Sequence, residues 1–331
     1  MLAGWYEKIG PAAEVIEIGQ MSAPEAGPGE VRVRLSASGV NPSDVKRRAG
    51  WRGQPIAYRR IIPHSDGAGV IDQVGPGVPP ARLGERVWVY NGQWQRPFGT
   101  AAEHIALPAS QAVRLPDGLG FVEGACLGIP AMTAHRCVFA DGPVAGQTVL
   151  VTGGAGAVGH YAVQLARWGG ATVIATVSSE GKGAHARAAG AEHVINYRSE
   201  DVAVRVRECT GGRGVDRIVE VDFGANLAVS QAVLKPHGVI AGYASMSVPE
   251  PVLPFYRLMG MNATVRLVFV YELPASAMAQ ACSDITAWLQ SGTAKHLIAA
   301  RFPLAELARA HEVVEGGRQV GNVVIDIGGG G

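Results

Sequence analysis

Four cysteines in 331 residues, Cys126, Cys137, Cys209 and Cys282, are too few and too scattered to organise a fold or a metal centre. None forms a C-x-x-C pair and none has a histidine at ligand spacing, so neither a disulfide framework nor a structural zinc site is expected. An excess of charge of either sign is also missing, with Lys plus Arg at 29 against Asp plus Glu at 28. That balance gives no global attraction to nucleic acid or to a membrane surface. No apolar run is long enough to span a bilayer, and the opening MLAGWYEKIG has no basic stretch leading into an apolar one. Neither a membrane anchor nor a secretory leader is expected, and free thiols in such a chain fit a reducing cytoplasm.

What is present is an ordinary globular composition, 47% hydrophobic, over a length that suits about two domains. The first third is punctuated by Gly and Pro. Val31, Val33 and Leu35 alternate with Arg32, Arg34 and Ser36, the period of a half-buried strand. Further short strands are expected at Gly67–Val74, Arg86–Tyr90 and Ala101–Leu107, giving a β-rich, barrel-like domain. The texture changes at Leu115-Pro116-Asp117-Gly118. Phe121 to Phe139 reads as helical, divided at Pro130. Strands and helices then alternate through a strand at Thr264–Tyr271, the pattern of a doubly wound parallel sheet. Two helices and a last strand, Asn322–Ile327, follow.

Within this alternation Thr148–Arg167 reads TVLVTGGAGAVGHYAVQLAR. A short apolar strand runs into Gly154, Gly156 and Gly159, spaced G-x-G-x-x-G, and a helix-period pattern follows. That is the context a dinucleotide fingerprint requires. Gly154 is expected to make the tight turn, Gly156 to let backbone approach a pyrophosphate, and Gly159 to let the helix pack on the strand. Where an NAD site places a carboxylate after the second strand, this chain has Val177, Ser178 and Ser179, with Lys182 three residues on. Hydroxyls and an ammonium suit a 2′-phosphate, so NADPH is the expected cofactor. Glu180 dissents, and a solvated loop is the alternative.

Hydride transfer needs no protein nucleophile. It needs a bound acceptor beside the nicotinamide and a group to stabilise the oxygen that becomes anionic. Zinc would serve, but no ligand set is apparent; His64 and Asp66 come nearest, and such residues in a Pro-flanked loop also satisfy backbone groups. The polar cluster Asn41, Ser43, Asp44 and Lys46 is then the candidate, with a capped helix start as its other reading.

Several stretches together resemble the medium-chain dehydrogenase/reductase superfamily, and within it the zinc-free, zeta-crystallin-like quinone oxidoreductases. They are GVNPSD at Gly39–Asp44, DGAGVIDQVG at Asp66–Gly75, GERVWV at Gly84–Val89, AMTAHRCV at Ala131–Val138, AGAVG at Ala155–Gly159 and GAEHVINY at Gly190–Tyr197. The resemblance implies an α/β chain with a GroES-like β-rich catalytic domain, residues 1–118 and 292–331. A Rossmann doubly wound parallel sheet, residues 119–291, is inserted into it. The last strand then joins the first domain. The resemblance places Asn41 beside the nicotinamide and Thr133 at the same end of the site. Gly154, Ala155, Gly156, Ala157 and Val158 match the pyrophosphate turn, Ser178 and Lys182 the 2′-phosphate contacts, and Tyr197 the adenosine side. It assigns Tyr243, Ala244 and Ser245 to the loop after the fifth strand. Val268, Phe269 and Val270 fall in the carboxamide segment, and Asn322 near the nicotinamide or its phosphates.

Zinc-dependent relatives carry metal ligands where this chain has Asn41-Pro42 and Ser65. Gly50-Trp51-Arg52 departs from the family's G-x-Y pattern, which makes Arg52 a candidate oxyanion or acidic-substrate contact beside a plain surface role. The family also implies a homodimer or homotetramer, with the apolar strand Val265–Tyr271 as an available edge and burial against the chain's own helices as the other reading of those residues. Three functions follow as expectations: a zinc-independent NADPH:quinone oxidoreductase, an NADPH-dependent reductase of a specific enone, alkene or aldehyde, or an NADPH-binding structural or regulatory protein.

Overall fold

The computed structural model describes residues 1–53 and 55–328, the side chain of Arg52 excepted. The chain opens with β1 (Leu2–Trp5) and β2 (Glu17–Gln20), an antiparallel pair. β3 (Glu30–Val40), β4 (Asp66–Val74), β5 (Arg86–Val89), β6 (His104–Pro108) and β7 (Ala112–Arg114) follow. Then come β8 (Thr148–Val151), β9 (Thr172–Val177), β10 (His193–Asn196), β11 (Val215–Glu220), β12 (Leu234–Gly242) and β13 (Thr264–Leu267). β14 (Ile298–Pro303) and β15 (Asn322–Asp326) are the last strands.

The chain divides into two compact units. One is Met1–Ile129 with the stretch from His296 onward, and the other is Pro130–Lys295. The first holds a sheet in the order β14-β15-β3-β4-β5-β7, with β6 also on β3. The alternation in β3 does what its period implies: Val31, Val33 and Leu35 are buried with Val87, Val89, Ile105 and Leu107, while Arg34 faces outward. β15 pairs antiparallel with β3, Val323 opposite Val40, so the end of the chain completes this sheet. Beyond Leu35 the alternation stops and burial becomes nearly continuous, because the short helix Phe121–Gly124 and the turn after it lie on that end of β3. A Cβ on Gly39 would collide with the carbonyl of Ala125. This packing carries the first unit past Gly118, as far as Ile129.

In the second unit all pairings are parallel, in the order β10-β9-β8-β11-β12-β13. β8 is central, with the chain winding outward first on one side and then on the other, the doubly wound arrangement. Leu150, Ile174, Ile195, Ile218 and Ile240 fill its core. Several element ends differ from expectation. The strand expected from Ala101 begins at His104, and the one expected to reach Tyr271 ends at Leu267, after which Val270–Glu272 forms a single tight turn. The helix after β9 starts at Glu180, because the Ser179 hydroxyl accepts the Lys182 N–H at its first turn. Pro130 lies in a wide turn, Leu127–Ala131, immediately before the helix Met132–Phe139. No helix among the described residues is long and apolar enough to cross a membrane.

Candidate functional site

At the carboxyl end of β8 the chain turns sharply into the helix Ala157–Trp168. The residue that takes the left-handed conformation is Gly153, with φ +66°, and not Gly154, which corrects the expected division of labour among the glycines. Gly154 is needed for space: a Cβ there would fall 2.7 Å from that of Ala175 on β9. Gly159 is needed for closeness, since a Cβ on it would strike the Gly153 carbonyl. Ala155 is buried, Gly156 is the exposed N-cap, and Ala157 and Val158 open the helix half-buried. The first turn carries no carboxylate. Its N–H groups, which have no acceptor within the helix, therefore present positive potential at the turn. This is a fit to a pyrophosphate.

Beside it, β9 ends at Val177 and Ser178 is half-buried. Ser179 is committed to capping the next helix, so of the two expected hydroxyls Ser178 is the one outside the cap. Glu180 is held by Arg187 at 2.5 Å, which offsets the charge that argued against a phosphate here. Lys182 sits half-buried in the same first turn. Tyr197 is 51% exposed, and its N–H donates to the Val177 carbonyl at 3.1 Å, placing it across from the end of β9.

A cavity of about 620 Å³ opens over the ends of β8, β9 and β11, lined by Thr152, Gly153, Thr176, Tyr197, Glu220 and Asn226 among others. Ser178 and Lys182 are not in its lining. Glu220, which the sequence reading passed over, is fully buried there and accepts from Thr152 Oγ1 at 2.9 Å, Asn226 Nδ2 at 2.8 Å and the Asp222 N–H at 2.7 Å. Burial raises its carboxyl above the usual range despite those donors. A second cavity, about 300 Å³, gathers Tyr243, Ala244, Ser245, Val268 and Phe269 with Phe223 and Leu267 at the ends of β12 and β13. Ser245 Oγ accepts the Gly224 N–H at 2.9 Å and donates to the Val248 carbonyl at 2.5 Å, fixing that loop. Val270 is buried in the following turn, outside this lining, and Thr133 is buried in the helix Met132–Phe139.

In the first unit, Asn41 is the N-cap of the helix Pro42–Arg48 and is 4% exposed. Its backbone N–H donates to Asp44 Oδ2 at 2.8 Å, so the capped-helix reading of this cluster is correct. Its side chain does something else. Nδ2 donates to Asp66 Oδ2 at 2.8 Å, and Asp66 also accepts the Ile129 N–H at 2.8 Å and 2.9 Å. There is no room for a side chain at Gly128, whose Cβ would strike the Asp66 carboxylate. The plane of the Asn41 amide is thereby locked. Burial pushes the Asp44 carboxyl up to about 7 and raises that of Asp66 as well.

His64 does not join them. Its Nδ1 meets Ser38 Oγ at 2.9 Å and its Nε2 meets His311 Nε2 at 2.9 Å, while Thr100 Oγ1 links Ser38 to the Asp66 carbonyl. Among the described residues no group of three or more His, Cys, Asp or Glu side chains is placed to hold a metal ion. Asn322, expected at the cofactor, spends its side-chain amide on the Leu297 carbonyl at 3.3 Å. The Arg52 side chain lies outside the described residues.

Fold and site together define a two-domain oxidoreductase of the medium-chain type. An alcohol dehydrogenase GroES-like domain model matches residues 27–117, and a zinc-binding dehydrogenase domain model matches residues 157–287. A 2-haloacrylate reductase from Burkholderia sp is 33% identical over 98% of both chains. A quinone oxidoreductase from Pseudomonas aeruginosa is 30% identical over 94% of this chain and 95% of its own. A mycobacterial protein solved in complex with NADPH superposes with a TM-score of 0.85 at 29% identity, covering 98% of this chain and 99% of that one. The chain belongs to the medium-chain dehydrogenase/reductase superfamily, in its zeta-crystallin-like quinone oxidoreductase family.

Proposed function

We propose that this protein is a zinc-independent, NADPH-dependent reductase that delivers hydride to quinones or to the β-carbon of an activated enone. The observation that carries this reading is the Asn41 amide, held by Asp66 where zinc-dependent relatives place a metal ligand. When bound, the dinucleotide supplies the hydride. The second unit's part is to hold it: the turn at Gly153–Gly159 takes the pyrophosphate, Ser178 and Lys182 take the 2′-phosphate, and Tyr197 covers the adenosine side. Tyr243, Ala244, Ser245, Val268, Phe269 and Val270 shape the nicotinamide end, with Thr133. The first unit's part is to orient the acceptor through Asn41, as a neutral hydrogen-bonding group toward the oxygen that gains charge. Solvent delivers the proton.

The reductase from Burkholderia favours a second reading, in which an unsaturated acid is the natural acceptor and quinones are only convenient ones. Following nicotinamide absorbance against a panel of quinones, enones and 2-enoates separates the two. The acceptor class with the highest kcat/KM identifies the chemistry. NADPH that binds but is consumed by no acceptor overturns both and leaves a binding protein.

A further inference from the structure

A cavity of about 300 Å³ lies within the first unit, at the C-terminal end of the helix Pro42–Arg48. In a chain that is only 6% aromatic, four of its eleven described lining residues are Tyr6, Trp51, Tyr58 and Trp94. Arg47 also lines it, and none of the described lining residues is a carboxylate. Nη1 of its guanidinium donates to Gln93 Oε1 at 2.9 Å, and the group stacks over Trp94 with 4.6 Å to the ring centroid. One position earlier, the Lys46 ammonium stands over the Trp51 ring at 5.3 Å.

We propose that this cavity recognises the acceptor, and that the acceptor is a planar conjugated compound carrying an acidic group such as a carboxylate. The proposal rests on the reductase reading and names its substrate class. Tryptophan and tyrosine faces favour a flat, conjugated body by stacking. A guanidinium whose plane is already set loses little freedom on meeting a carboxylate, which it matches in geometry as an ammonium does not. Apolar walls weaken solvent screening at that contact, and Lys46 adds positive potential. A neutral quinone would gain the stacking alone.

The test is calorimetric binding of naphthoate and of its neutral counterpart, naphthamide, to the full-length protein, with no turnover measured. The proposal expects naphthoate to bind about tenfold tighter or more, a gap of about 1.4 kcal/mol, and the gap to shrink as salt rises. Arg47→Gln is expected to abolish the preference while naphthamide still binds, which shows the pocket intact; Arg47→Lys is expected to keep part of it. Equal affinities in the parent protein overturn the proposal, as does a preference that survives Arg47→Gln. Should that variant not fold, an undiminished preference in Arg47→Lys overturns it equally. A failure of the reductase reading appears elsewhere, as an absence of NADPH oxidation with every acceptor.

Discussion

Lys182 stands in the first turn of its helix with its own N–H tied to Ser179, so its backbone is fixed and only its ammonium is at issue. Removing that charge by Lys182→Ala should weaken NADPH by about tenfold and leave NADH nearly unchanged, as read by fluorescence titration. Equal losses would show that no 2′-phosphate lies here. Asp44 offers a different kind of check. Its folded pKa, about 7, is raised from 3.8, so its ionisation opposes folding. Its contribution is fully present below 3.8 and is lost as pH rises through about 7. Asp44→Asn does not titrate. Relative to the parent, the variant should therefore gain stability across that window, by at most about tenfold in the unfolding constant per pH unit, and then level off. A difference that stays flat in urea titrations over the same range would contradict the burial assigned to this carboxyl. At this scale the sequence was legible only in part. Asn41 could be named from its surroundings, but its orientation by Asp66 depends on where β4 begins and on the Ile129 N–H, which no local pattern encodes.

Elements with strong periodicity were legible. β3 declares itself by alternation, and the strand–turn–helix around Gly154 by its apolar runs and spacing. The elements that escaped notice are those without such a signal. β1 and β2 are four residues each and contain glycine. β14, IAARFP, has weak alternation and ends at a proline. The shortening of β13 leaves an edge with consequences. Its sequence neighbours continue the sheet only as far as the Val268 N–H, which donates to the Gly242 carbonyl, and Leu267 is left 73% exposed. We propose that a second copy pairs along this edge, since an exposed apolar edge strand is a ready template for its twin. Sedimentation of Leu267→Glu should then show a monomer where the parent is a dimer; an unchanged mass, or a monomeric parent, removes the proposal.

At the scale of the molecule, two cores built on different principles share one chain. One is an antiparallel-rich sheet completed by the chain's own C-terminal strand, the other a parallel sheet whose order reverses at β8. The alternation of strands and helices made the second readable in advance, whereas the return of β15 to β3 is a long-range pairing that only the family resemblance had anticipated. Activity should survive exhaustive chelation, because the Asn41 amide is tied to Asp66 and among the described residues no three His, Cys, Asp or Glu side chains are placed to hold a metal ion; activity lost to chelator and restored by zinc would overturn the metal-free account. The most direct measurement is isotope transfer. NADPH carrying deuterium at the transferable position of its nicotinamide is mixed with the protein and an enone, and the product is analysed by mass spectrometry. The account predicts one deuterium on the β-carbon and oxidised cofactor in equal amount. Reduced product without the label, or no product from any acceptor while NADPH stays bound, would contradict it.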